Sequence, residues 1–236
     1  VIRSIRSIRV PITLVYSMAV NILYEDNHLI AVYKPAGVLV QGDKTGDATL
    51  MDEVKYYLKQ KYHKPGNVFL GLLHRLDRPV AGIILFAKTS KGASRLSEQF
   101  RSHKITKIYH ALVEGTLKEN RGTLLHYLKK DRERNMVKVY ERAVPESQRA
   151  ELDYEVVEIK QNQSIVKIIL KTGRSHQIRS QFAYIGHPIV GDVKYGADTV
   201  LKKGRIELVS TEMGFGLVTK KDIMSLLIQL PVEWVN

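Results

Sequence analysis

The sequence predicts an α+β fold built on a mainly antiparallel, mixed sheet flanked by helices. Three observations lead there. Strand-like segments outnumber helical ones, several follow one another directly as hairpins, and no regular strand–helix–strand crossover recurs along the 236 residues.

The elements follow in order. Residues 20–37, VNILYEDNHLIAVYKPAG, read as two short strands joined by a Glu-Asp-Asn turn and stopped by Pro35 and Gly37. In ATLMDEVKYYLKQKYHKPG, the positions Leu50, Val54, Tyr57, Leu58 and Tyr62 keep helical spacing. Thr49 can cap that helix, and Pro65-Gly66 end it. GIILFAK, from Gly82, is a buried strand, and Ser90 to Arg101 repeat the helical pattern through Ala93, Leu96 and Phe100. KITKIYHALVEG alternates as a strand does, AELDYEVVEI and SIVKIILKTG pair as a hairpin, and Ser175 to Ile185 form a short helix behind it. The charged stretch HYLKKDRERNMVKVYERAVPESQRA, residues 126–150, is expected to be a mobile surface insertion. The first 17 residues, VIRSIRSIRVPITLVYS, repeat Ser-Ile-Arg and lack the layout of a secretory signal. They are expected to be a disordered or non-native extension, with Met18 the natural start and a transit peptide the alternative.

Charge is the strongest bulk signal. Lys and Arg number 37 against 24 Asp and Glu, a net charge of +13. A chain this basic points to a polyanion, because neutralising phosphates releases counterions. The absence of cysteine excludes disulfides and thiolate metal sites. No apolar run is long enough to span a bilayer as a helix. The phosphate-cradling glycine loops, the Gly-x-Ser-x-Gly elbow and the helical His spacings of metal sites are missing too, which argues against kinase, esterase and metallohydrolase chemistry.

Two places could carry chemistry: HRLDRPVAG around Asp77, and KTGRSHQIRSQFAYIGHPIVGDVKYG at 171–196. On a helix at about 100° per residue, Ile178, Phe182 and Ile185 share one face while His176, Arg179 and Ala183 take the other. The polar face meets either solvent or a cleft holding a carboxylate, with Asp77 the attractive partner for Arg179. Periodicity alone favours solvent.

HRLDRPVAGIILFAKT resembles the catalytic motif of the RluA-like family of RNA pseudouridine synthases. KPAGVLV at 34–40, KIYHALVEG at 107–115 and TGRSHQIRSQFAYIGHPIVGDVKYG at 172–196 match that family's other signatures in its own order. The resemblance covers roughly residues 20–200, and more loosely the rest. It implies the pseudouridine synthase fold with a central catalytic cleft, a single catalytic domain over 18–236, and isomerisation of a uridine in ribosomal or transfer RNA. It implies that Asp77 is the essential catalytic carboxylate, that Arg179 pairs with it, and that Tyr109 stacks on the target base. Arg75 would enter the space the flipped base leaves, Ile178 would wall the pocket, and Arg174 and His176 would meet RNA. No metal, nucleotide or redox cofactor is expected, and the protein is expected to be a cytoplasmic monomer whose partner is RNA rather than a membrane.

The chain departs from the family's pattern in places. Arg78 and Val80-Ala81 stand where many relatives have Lys and Thr-Ser, Gln41-Gly42 where many have His-Pro, and Ser180-Gln181 where Val-His is frequent. These changes touch no proposed catalytic residue but blur the choice of RNA. No S4 RNA-binding module is expected, since the residues before the first strand are too few to pack one, and the catalytic domain is expected to grip RNA itself. Two alternatives stand beside this reading: a non-catalytic RNA-binding or ribosome-assembly factor of the same fold, and a glycosidase-like enzyme on small nucleosides, which the +13 charge disfavours.

Overall fold

Alternating and wholly apolar segments condense into twelve strands and four α-helices among the described residues, so the α+β expectation holds. The structure is a computed structural model that describes residues 5–10, 20–43 and 46–235. In chain order the first elements are β1 (Ile5–Val10), β2 (Ile22–Glu25), β3 (Leu29–Lys34), α1 (Leu50–Lys61), β4 (Gly71–Leu72), β5 (Ala81–Ala87) and α2 (Ser90–Arg101). There follow β6 (Thr106–Glu114), β7 (Arg121–Asp131), β8 (Met136–Tyr140), β9 (Gln148–Lys160), β10 (Gln163–Leu170) and α3 (Gln177–Tyr184). β11 (Leu208–Gly216), β12 (Ile223–Ile228) and α4 (Val232–Val235) complete the chain. These elements gather into two compact units, Val1–Thr106 with Ser210–Gln229, and Lys107–Val209 with Leu230–Asn236.

In the first unit the sheet runs β2-β3-β5-β11, with β4 on β5 and β12 on β11. Every residue of β5 is buried, which is why AGIILFA reads as an unbroken apolar run rather than an alternating one. β3 pairs antiparallel with β5 from Leu29↔Ala87 to Lys34↔Gly82. α1 buries Leu50, Val54 and Leu58, and the Thr49 hydroxyl accepts from the Asp52 amide as its N-cap. α2 is capped in the same way by Thr89.

Gly82 fixes how closely β5 and β11 approach. Its φ is +127°, and a Cβ there would lie 2.4 Å from the Ser210 carbonyl oxygen and 2.5 Å from its nitrogen. Both obstacles are backbone and cannot swing away. Gly82→Ala is therefore expected to destabilise the protein by ~3 kcal/mol or more, read as a fall in the urea midpoint at constant slope.

Glu25 ties β2 to α1 and to the end of β5. Its carboxylate accepts from Lys61 at 2.7 Å, Lys88 at 2.5 Å, Tyr62 at 2.7 Å and Tyr57 at 3.0 Å. Burial would raise its pKa, but those four donors outweigh burial and hold it at about 2, below the ordinary 4.5. A carboxylate depressed in the folded state contributes stability that is present above pH 4.5 and lost as pH falls towards 2. Acid melts should show this: the Tm gap between wild type and Glu25→Gln is expected to narrow through that window and to stay constant above it.

Ile5–Val10 forms a strand parallel to β12, in register from Ile5↔Ile223 to Val10↔Ile228. Here the structure departs from the expected disordered extension. The isoleucine-rich Ser-Ile-Arg repeat suits a strand, and β12 offers it an edge to pair with. The rest of that 17-residue stretch lies outside the described residues.

The second unit is a five-stranded antiparallel sheet in the order β6-β10-β9-β7-β8. The stretch at 126–150 is no loose insertion: β7 and β8 pair from Tyr127↔Tyr140 to Asp131↔Met136. Leu128, Val137 and Ala150 are buried as a cluster with Val139 packed against them. Those apolar residues are spaced for strands but diluted by the Lys and Arg between them, which is why charge hid the pattern. α3 is shorter than expected because His176 sits at φ +50°, outside helical geometry. At the C-terminus, Trp234 is buried in the same unit and its indole N–H donates to Glu207 at 2.8 Å.

Candidate active site

Two groups of residues answer to the motifs, one in each unit. Asp77 and Arg75 belong to the first unit; Tyr109, Arg174, His176, Ile178 and Arg179 belong to the second.

In the first unit the loop between β4 and β5 carries His74 to Val80. A clasp holds it against the turn that follows β3. The Gly37 amide donates to the Arg78 carbonyl at 2.7 Å, and Arg78 Nε donates back to the Gly37 carbonyl at 3.0 Å. Arg78 also pairs with Asp47 at 2.8 Å. Lys34, with 0% of its surface exposed, completes the clasp: its ammonium donates to the carbonyls of Pro35, Val38 and Arg78 at 2.9, 2.8 and 3.1 Å. Three carbonyl acceptors match the three N–H donors of a charged lysine. Burial lowers the Lys34 pKa to about 7, with the charge of Asp77 opposing that fall and the charge of Arg78 adding to it.

Asp77 lies at the start of the turn so held, its carbonyl accepting from the Val80 amide at 3.0 Å. It is half-buried, Leu76 before it is buried, and Arg75 is exposed. His74 is structural. Its Nε2 accepts from the Leu85 amide at 2.9 Å, and its ring stacks on Phe100 with centroids 5.2 Å apart. The charge cluster at 74–78 thus divides into residues that hold the loop, His74 and Arg78, and residues that the loop presents, Arg75 and Asp77.

In the second unit α3 is buried along its whole first part, Gln177 to Phe182. Periodicity alone sent Arg179 to solvent; the structure places it 5% exposed. Its Nε and Nη2 donate to the two carboxylate oxygens of Asp192 at 2.7 and 2.9 Å, a bidentate pair between buried groups. The Tyr195 ring lies 5.1 Å from the guanidinium carbon. The Tyr195 hydroxyl in turn is hydrogen-bonded to His176 Nδ1 at 2.7 Å and accepts from the Val137 amide at 3.0 Å. His176 is therefore a half-buried member of this network rather than a freely projecting side chain.

The two glutamines of the helix attach it to the sheet. Gln177 donates to the Glu151 carbonyl and accepts from Thr172, and Gln181 contacts the Leu124 carbonyl and His126. Ile178 is buried and Arg174 exposed. Tyr109 is buried in β6 opposite Ile168. Its neighbour His110 is held to a pKa of about 4 by burial and then by the charge of Lys167, so it is neutral at physiological pH.

Lys34, Asp192 and Tyr195 were not singled out from the sequence. Lys34 did leave a signal, a lysine closing an otherwise apolar strand just before Pro-Ala-Gly. Asp192 and Tyr195 fall inside the signature at 172–196, but no helical or strand period links them to Arg179 across the intervening turn. No group of three or more His, Cys, Asp or Glu able to hold a metal occurs among the described residues. No described helix is long and apolar enough to cross a membrane.

Comparison with known proteins bears on these residues as a set. A sequence model of the family described as RNA pseudouridylate synthase matches residues 28–184, more than half of the chain. The chain is 36% identical over 180 residues to ribosomal large subunit pseudouridine synthase C of Buchnera aphidicola, covering 75% of this chain and 54% of that one. It is 37% identical over 191 residues to tRNA pseudouridine synthase C of Haemophilus ducreyi, covering 76% and 75%. It thus spans little more than half the length of some of the curated relatives it matches. Among solved structures, human RNA pseudouridylate synthase domain containing 4 superposes with a TM-score of 0.75 at 22% identity, covering 91% of this chain and 90% of that one. That likeness shows the fold. The matched span includes Lys34, Asp77, Tyr109 and Arg179, and on these matches the chain belongs to the RluA-like family of RNA pseudouridine synthases.

Proposed function

We propose that this chain isomerises a specific uridine to pseudouridine in ribosomal or transfer RNA, with Asp77 as the catalytic carboxylate. The observation that carries the proposal is that family membership coincides with an aspartate on a loop fixed by the Lys34, Gly37 and Arg78 clasp. The reaction breaks the bond from uracil N1 to ribose C1′ and rejoins the same base through C5, so no atom beyond a proton is exchanged. It needs a group that can support or capture electron-poor carbon, and an ionised carboxylate does either. No redox partner or co-substrate enters that balance.

The target base must leave its stack to be reached. Arg75, exposed two residues before Asp77, would occupy the space left behind, and Tyr109 and Ile178 would hold the flipped base. Arg179 would orient the catalytic carboxylate. The RNA classes follow from the names of the relatives, ribosomal large subunit and tRNA enzymes, and from the net charge of +13. Such a substrate is compatible with work in the cytoplasm.

The test uses ribosomal and transfer RNA transcripts carrying tritium at uracil C5, where bond formation expels the label. The expected result is release that plateaus at a fixed number of uridines per RNA, with pseudouridine mapped at those positions. Absence of release from both RNA classes under conditions where RNA binds would remove the synthase reading.

A further inference from the structure

The hairpin formed by β7 and β8 borders, with the segment leading into α3, an open cavity of about 600 Å³. Lys129, Lys130, Arg132 and Arg174 line it together with Ser175, and Glu146 is the only acid among them. We propose that this cavity is a subsite for an RNA phosphodiester, and that Glu146 occupies it in the free protein as a displaceable stand-in for the phosphate.

The cations come first. Lys130 and Arg132 make no side-chain ion pair or hydrogen bond among the described residues, and Arg174 donates only Nε to a protein acceptor, the Arg149 carbonyl at 3.0 Å. Lys129 stands directly opposite Lys138 across the hairpin, a like-charge pairing that sheets ordinarily avoid. Nearby, burial holds the Lys107 pKa below its usual value, and the charge of Arg174 adds to that fall. Four cations around one cavity call for an anion larger than a single exposed carboxylate.

Glu146 itself is the second observation. It sits in the turn from Val144 to Ser147, closed by the Ser147 amide on the Val144 carbonyl at 3.0 Å. Its φ is +66°, a left-handed conformation that glycine or asparagine adopts with far less strain. The strain has an explanation if the side chain has work to do there: the carboxylate meets Lys129 at 3.0 Å while remaining 80% exposed. So exposed a pair is weak and readily exchanged for a stronger anion. A phosphodiester offers two charged oxygens to guanidinium and ammonium donors, a better match than one carboxylate. An acidic peptide would bring more carboxylates of the kind already present, so the chemistry favours RNA.

No aromatic ring lines the cavity, so bases have nothing to stack on. The subsite therefore grips backbone and is indifferent to sequence, positioning RNA beside the segment that begins α3. This inference rests on RNA being the substrate, as proposed above, and extends that reading from Arg174 to Lys129, Lys130, Arg132 and Glu146, which it does not use.

The experiment measures binding of the full chain to a transfer RNA transcript and to single-stranded oligouridine by fluorescence anisotropy, at 50 to 200 mM salt. Glu146→Gln is expected to tighten both Kd values about 3- to 10-fold, because the competitor is gone while the backbone is unchanged. Glu146→Gly should do the same and also raise Tm, since glycine relieves the strain. The Lys130→Gln, Arg132→Gln double variant should weaken both, with the log–log salt slope shallower by about 1 to 2. Unchanged Kd and slope in all three variants overturn the subsite, as does competition by polyglutamate equal to that of RNA, which would make the cavity a protein dock. Tritium release is followed on the same RNA. If wild type releases tritium and the variants leave both KM and Kd unmoved, the subsite alone fails. If the variants shift Kd as stated but wild type releases no tritium from any RNA, the subsite stands and the synthase reading fails.

Discussion

Replacing Asp77 with asparagine is expected to reduce tritium release from C5-labelled RNA by at least ~10³-fold while leaving RNA affinity within about twofold. Asparagine keeps the size of aspartate, removes the charge and exchanges one acceptor oxygen for an NH2 donor. The loop should keep its place, because the clasp that holds it runs through the carbonyls and amides of Gly37 and Arg78 and through Lys34. The turn bond from the Val80 amide likewise ends on the Asp77 carbonyl. One secondary effect follows from the electrostatics. The charge of Asp77 raises the pKa of Lys34 against burial, so its removal drops that pKa below about 7. A neutral lysine has two N–H donors for three carbonyls, and Asp77→Asn should lower Tm at neutral pH by a few degrees. Retention of tritium release by a folded Asp77→Asn protein would falsify the assignment.

How far could the sequence alone carry this site? Elements whose signal is local were legible. β5 announced itself as an unbroken apolar run, α1 by helical spacing behind a capping threonine, α2 by helical spacing alone, and the β9–β10 hairpin by two adjacent alternating segments. The β7–β8 hairpin was misread because Lys129, Lys130, Arg132, Glu133 and Arg134 swamp the few apolar positions that decide its pairing. α3 shows a different limit. Its polar residues suggested a solvent face, yet Gln177, Arg179 and Gln181 are buried because each finds partners on other elements, and no period within the helix encodes those partners. The family resemblance named Asp77 and Arg179; it could not supply the Lys34 clasp or the Asp192 and Tyr195 contacts, which exist only once turns bring distant residues together.

That buried pairing makes Arg179→Ala the other substitution with a large expected effect, because it acts on stability and on activity by separate routes. Asp192 is 1% exposed, and its carboxylate takes its side-chain hydrogen bonds from Arg179. Truncating the arginine leaves a buried carboxylate without those donors, which costs about 3–5 kcal/mol. Removing the charge at both ends should cost less than removing it at one. Arg179→Met combined with Asp192→Asn is therefore expected to recover part of the lost stability, and a double-mutant cycle read by urea unfolding gives the coupling. Activity should not follow stability. If Arg179 orients the catalytic carboxylate, the repaired double variant folds well yet still releases tritium on the order of 10²-fold more slowly, with kcat falling more than KM rises. Arg179→Lys sharpens the distinction: it keeps the charge but loses the fork that meets both oxygens of Asp192, so it should retain more stability than alanine while remaining slow. Recovery of activity in step with stability across these variants would instead confine Arg179 to holding α3 against the turn that carries Asp192 and Tyr195.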